Sequence, residues 1–203
     1  MSISESAADY FMLQSGGEDD YETIQVSGMS GHLARVGGLI RYERVGSFMP
    51  PMCFPGSGDI VITEAMRSEL MSCDFINVQM REVIKALIAR GTWDGGTKFE
   101  ECPGEPESQI LDKAHDTQSS LELGELYEVI LPVHGRWVSR KYNKSWSACD
   151  LICQSFKDGD LFALLLPAPD AVTPVCSMRF RSWLEGKGAA KWIKFIPVTL
   201  HAQ

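Results

Sequence analysis

The feature that most constrains this chain is an internal echo. Thr63 and Ser177 stand 114 residues apart, each a residue suited to cap a helix, because its hydroxyl accepts a bond from an orphan amide of the first turn. At the same offset Arg67-Ser68-Glu69-Leu70 aligns with Arg181-Ser182-Trp183-Leu184. Further on, Phe75-Ile76-Asn77-Val78 aligns with Phe195-Ile196-Pro197-Val198, after six extra residues in the second copy. Each copy reads as strand, capped short helix, strand, over about 59–78 and 175–198. One such unit cannot bury its own apolar face, so two copies sharing one core are expected.

The rest of the chain fits a sheet-rich fold. Tyr10-Phe11-Met12-Leu13 reads as a first strand. Residues 33–45 read as one bulged strand or two short ones around Gly37-Gly38, and 48–58, rich in Pro and Gly, as a loop. Val83, Ile84, Leu87 and Ile88 recur at helical spacing and Gly91 follows, so 80–90 reads as an amphipathic helix. Leu126 to Leu131 and Leu161 to Leu166 read as buried strands, and 151–156 as a strand or short helix. The expected class is α+β: a mixed or mostly antiparallel sheet with a few short helices, in one domain over 1–203.

These motifs carry a resemblance. A Tyr-Phe-Met-Leu opening strand at Tyr10 to Leu13, a strand–helix–strand at Asp59 to Val78, and a second at Val175 to Val198 ending in Phe-x-Pro-Val resemble an immunity-protein family of bacterial polymorphic toxin systems. It is the family numbered eleven, typified by a myxobacterial immunity domain. The second copy departs from the pattern in lacking an acidic residue after its cap. Residues 92–150 carry none of the resemblance. It implies a protein that binds and neutralises a cognate toxin in the bacterial cytoplasm, that is not an enzyme, and that works through an interface. It supplies no toxin-binding residues.

Charge offers a place for such an interface. The chain carries 19 Lys/Arg and 27 Asp/Glu, a net charge of −8. Residues 1–132 hold 9 Lys/Arg against 22 Asp/Glu, a balance of −13, while 133–203 hold 10 against 5, a balance of +5. Global acidity argues against a nucleic-acid binder, because the phosphate backbone repels it. The acidic segment 100–125 is the candidate surface, with Glu100, Glu101, Glu105, Glu107, Asp112 and Asp116 as candidate contacts. A basic toxin groove would be steered to it. The competing reading is a solvated loop. The basic, aromatic stretch 136–146 reads chiefly as a strand with Trp137 or Trp146 in the core.

The chemical alternatives are weaker. The chain has no G-x-S-x-G elbow, no phosphate-loop motif and no G-x-G-x-x-G after a strand. A spatially assembled site built on His134, Cys149 or Cys153 with acidic residues is the alternative, as an enzyme or a small-ligand domain. Cys149 and Cys153 form one loose pair without the second pair that structural zinc needs, so they are read as one helical turn apart on a buried face. No metal and no cofactor are expected. The N-terminal sequence has no basic and apolar leader pattern, and the longest apolar run is too short to span a bilayer. Reduced thiols, a cytoplasmic location and no membrane partner follow as expectations, with oligomeric state left open.

Overall fold

The computed structural model describes residues 9–16, 34–56, 58–91, 110, 113–142, 149–155, 157–168 and 171–202. They form an α+β structure of thirteen strands and three α-helices, in mixed and antiparallel sheets. Its contacts divide into two compact units. One comprises 15–130 with 191–194; the other comprises 1–14, 131–190 and 195–203.

The first unit holds two sheets. Strands β2 (Ala34–Val36) and β3 (Leu39–Val45) form a hairpin, and β7 (Ile84–Ala89) joins β3 in parallel. Gly37 and Gly38 both have positive φ, 59° and 84°, which a two-residue turn matched to strand twist requires. The second sheet has the order β4 (Met52–Cys53), β5 (Val61–Thr63), β8 (Leu126–Ile130), β6 (Gln79–Glu82), all antiparallel. Ile40, Tyr42, Cys53, Val61, Ile88 and Leu126 share one buried apolar cluster.

Helix α1 (Glu64–Met71) follows β5 directly. Thr63 caps it, its Oγ1 accepting from the Met66 amide at 3.3 Å, and Met66 and Leu70 face inward. Helix α2 (Thr117–Leu123) starts at the Asp116 cap and packs against β7.

The second unit is a closed barrel in the order β1 (Tyr10–Ser15), β12 (Val172–Ser177), β11 (Leu161–Leu165), β9 (Val133–Tyr142), β10 (Cys149–Gln154), β13 (Ile193–Ala202). Two neighbouring pairs are parallel, β11 with β9 and β10 with β13. Among the described residues, closure gives every strand of this barrel a neighbour on both sides. Met12, Trp137, Leu151, Cys153, Phe162, Leu164, Val175, Ile196 and Val198 fill the core. Helix α3 (Met178–Gly186) is capped by Ser177, whose Oγ accepts from the Phe180 amide at 3.2 Å, and it buries Phe180 and Leu184.

Three readings are corrected. Residues 80–90 are not a helix but β6 and β7. The side chains of Val83 and Ile88 do face inward, yet this run is held by partners distant in sequence, Tyr127 opposite Glu82 and Arg41 opposite Ile84. Gly91 is no helix stop: a Cβ there would lie 2.3 Å from a Val45 methyl, so it marks a close approach. Residues 75–78 are not a strand, since Asp74 and Phe75 sit in a turn and β6 begins only at Gln79. Cys149 and Cys153 lie on strand β10, not on a helix, with Cys153 buried.

The helices of the two copies nonetheless agree in detail. Thr63 and Ser177 both cap. Met66 and Leu70 are buried in one, Phe180 and Leu184 in the other, at the same 114-residue offset.

Candidate partner-binding surface

Of the candidate acidic contacts, Asp116 is described, and Glu100, Glu101, Glu105, Glu107 and Asp112 lie outside the described residues. Asp116 Oδ1 accepts from the Ser119 amide at 2.7 Å as the cap of α2. That hydrogen bond holds its carboxyl below the ordinary carboxylate value. Asp116 therefore organises the helix, and the segment read as an acidic loop contains α2.

The helix has two contrasting faces. Ser119, Ser120 and Leu123 are buried. From β7, Lys85 Nζ donates to the Ser120 and Gly124 carbonyls, each at 2.9 Å, a cation at the end where helix carbonyls lack partners. Outward, Leu121 is 69% exposed. Beside it Glu122 accepts from Gln118 Nε2 at 2.9 Å. The Glu125 side chain is 66% exposed, 3.7 Å from Lys85. Behind the cap, His115 Nδ1 accepts from the Ile88 amide at 3.2 Å. The outcome is a short, pinned helix with one exposed apolar side chain, Leu121, and two carboxylates near its C-terminal end, Glu122 on the helix and Glu125 two residues beyond it.

A second charged arrangement went unread in the sequence. Glu128, on β8, is 5% exposed. It takes Arg81 from β6 at 2.6 and 2.9 Å and Arg35 from β2 at 2.8 and 3.2 Å. Arg35 also reaches Asp59 at 2.6 Å. The signal was a lone acid inside an apolar strand, which demands a buried counter-ion.

A groove of about 550 Å³ opens on the same unit. It is lined by Arg67 and Met71 of α1, Val78, Gln79, Met80, Arg81 and Glu82 around β6, and Tyr127 of β8. The Arg67 guanidinium lies over the Tyr127 ring at 4.6 Å and pairs with Glu64 at 3.0 Å.

The residues of the alternative site are placed apart in role. His134 stacks on Phe162, with ring centroids 5.0 Å apart, and its Nδ1 donates to the Lys157 carbonyl at 3.0 Å. Cys153 lies in the barrel core, where burial pushes its thiol up. Burial likewise raises Cys53 to about 12, and it raises Cys176 strongly. Such thiols are scarcely ionised at neutral pH and make poor nucleophiles. The Cys149 side chain and Trp146 lie outside the described residues, whereas Trp137 is buried on β9 as the sequence implied. Among the described residues, no group of three or more His, Cys, Asp or Glu could hold a metal ion. No described helix is long and apolar enough to cross a membrane. Compared with known proteins, the chain matches no family model, no curated protein and no solved structure.

Proposed function

We propose that this chain is an immunity protein that neutralises a protein toxin by direct contact, with α2 as part of the contact surface. One observation carries the reading: Leu121 stands 69% exposed on a helix fixed from beneath by Lys85, with the carboxylates of Glu122 and Glu125 at that helix's C-terminal end. An exposed apolar side chain costs nothing to desolvate and anchors an interface. Those carboxylates steer a basic partner and reject an acidic one. A toxin that acts on nucleic acid carries such a basic surface. The resemblance of the opening strand and the two strand–helix units to the immunity family points the same way. On this reading the chain acts in the cytoplasm without catalysis, metal or cofactor.

Co-expression with the product of the neighbouring gene tests it. Co-purification and rescue of growth are expected. Leu121→Asp with Glu122→Lys and Glu125→Lys should lose both while leaving the thermal transition in place. A neighbouring product that is harmless to cells and does not bind would sink the proposal.

A further inference from the structure

We infer that the chain holds two copies of one unit, residues 10–89 and 126–202, that have exchanged their first strands, and that the matched residues Met12 and Glu128 decide which first strand each unit accepts. This inference is separate from the toxin-contact reading of α2.

Strand order carries the match. The barrel runs β11-β12-β1-β13-β10-β9. The other unit runs β4-β5-β8-β6 and, across Val83 alone, β7-β3-β2. Directions agree as well. β9 with β10 and β2 with β3 are antiparallel, while β10 with β13 and β3 with β7 are parallel. The single strand β13 thus does what β6 and β7 do in succession. In this alignment β1 stands in the barrel where β8 stands in the other unit.

Register fixes the equivalence to the residue. Cys176 lies opposite Phe11 and Ser177 opposite Tyr10, as Ile62 lies opposite Tyr127 and Thr63 opposite Leu126. The Ser177 amide donates to the Asp160 carbonyl at 3.0 Å, and the Thr63 amide to the Pro51 carbonyl at 3.2 Å. Arg181 covers the Phe11 ring at 4.6 Å, and Arg67 covers the Tyr127 ring at 4.6 Å. Yet β1 opens the first copy in sequence and β8 opens the second. Each therefore completes the unit that the other copy builds.

Chain connectivity requires the exchange. β1 is antiparallel to β12, β12 is antiparallel to β11, and β11 is parallel to β9. The place of β1 thus runs parallel to β9. β8 is joined to β9 by Leu131 and Pro132 alone. A crossover between parallel strands takes about a dozen residues or more, so β8 cannot fill that place and still enter β9. Residues 16–33, between β1 and β2, impose no such limit on β1.

One matched position carries the selection. Phe11 and Tyr127 lie under helix arginines, so the next residues, Met12 and Glu128, point to the opposite face. Met12 opposes Val175 and packs in the barrel core with Trp137, Leu151 and Phe162. Glu128 opposes Val61 and takes Arg81 and Arg35. A carboxylate at position 12 would be buried in an apolar core without a counter-ion. A methionine at position 128 would strip both guanidiniums of their shared acceptor.

Strand peptides test this on the full chain carrying Met12→Glu. The variant is refolded from urea with and without a blocked peptide, so a chain unable to fold alone still reports. Peptide 9–15 should bind saturably and restore the amide NMR signals that Val175 and Cys176 give in the unmodified protein. The matched peptide 125–131 should not bind up to about 1 mM. The same peptide with Glu128→Met should restore those signals, with an affinity at least about a hundredfold above its unmodified twin. Equal binding of the unmodified twin, or unmodified signals from Met12→Glu without any peptide, would overturn the selection. Failure of the Glu128→Met peptide where 9–15 binds would overturn the matched places. Failure of all three peptides would overturn both.

Discussion

Arg81 lies fork to fork against Glu128, with Nε 2.6 Å from one carboxylate oxygen and Nη2 2.9 Å from the other. Arg35 closes on the same carboxylate from the other sheet of the unit. Glu128→Gln keeps the shape and removes the charge, leaving two guanidiniums facing a neutral amide. Removing one partner of a fully buried ion pair costs about 3–5 kcal/mol. The two arginine side chains are 35% and 38% exposed, so water screens part of that loss. A destabilisation of about 2 kcal/mol in urea titration is expected. A change within about 0.5 kcal/mol would show that the cluster contributes little.

The same carboxylate sets an acid limit. Burial raises its pKa, but the hydrogen bonds from Arg81 and Arg35 outweigh burial and leave it below its ordinary value of 4.5. A carboxyl whose pKa is lower folded than unfolded contributes stability above the unfolded pKa. That contribution is lost as pH falls through the folded one. Unfolding free energy should thus decline below about pH 4.5, and Glu128→Gln should flatten the decline. Parallel slopes for the two proteins in urea titrations from neutral to acid pH would refute the assignment.

The two helix caps differ in a measurable way. Thr63→Ala should cost about 1 kcal/mol, the usual loss for a capping hydroxyl. Ser177 accepts from Phe180 and also donates to Asp160, so Ser177→Ala removes two bonds and should cost more. Thr63→Ser should be close to neutral. Chemical denaturation of the three variants orders them, and a larger loss at Thr63 would contradict the geometry.

Thiol reactivity should follow burial. Cys53, Cys153 and Cys176 are buried with raised pKa values, whereas Cys73 is only partly covered. Under iodoacetamide at pH 8, peptide mapping should find Cys73 modified first of these four. Early modification of Cys53 would mean that the first unit opens readily.

Local signals carried the capped helices well. Thr63, Ser177, Leu70 and Leu184 act through bonds within one turn or one face, and such features are written in neighbouring residues. Around Gly37-Gly38 the local signal left one bulged strand or two short ones, and the structure has two, paired as a hairpin. The stretch from Val83 to Ile88 was not legible, because its apolar spacing satisfies a helix and a strand alike, and distant Tyr127 and Arg41 decide. The charge pattern marked the acidic segment but not that Asp116 would be spent on a cap. The groove between α1 and β6 was hidden because α1, β6 and β8 meet there only through the pairing of β6 with distant β8.

The closed barrel has a consequence for the order of events in time. β1 and β13 are neighbours in it, though one begins at Tyr10 and the other ends at Ala202. A ribosome must deliver almost all the residues between them before the ring can shut. The unit at 15–130 meets its main partners much earlier. Closing contacts across so much sequence is slow. Until β13 arrives, β1 and β10 each wait with an open edge, and this interval is when the nascent chain is most exposed to mispairing.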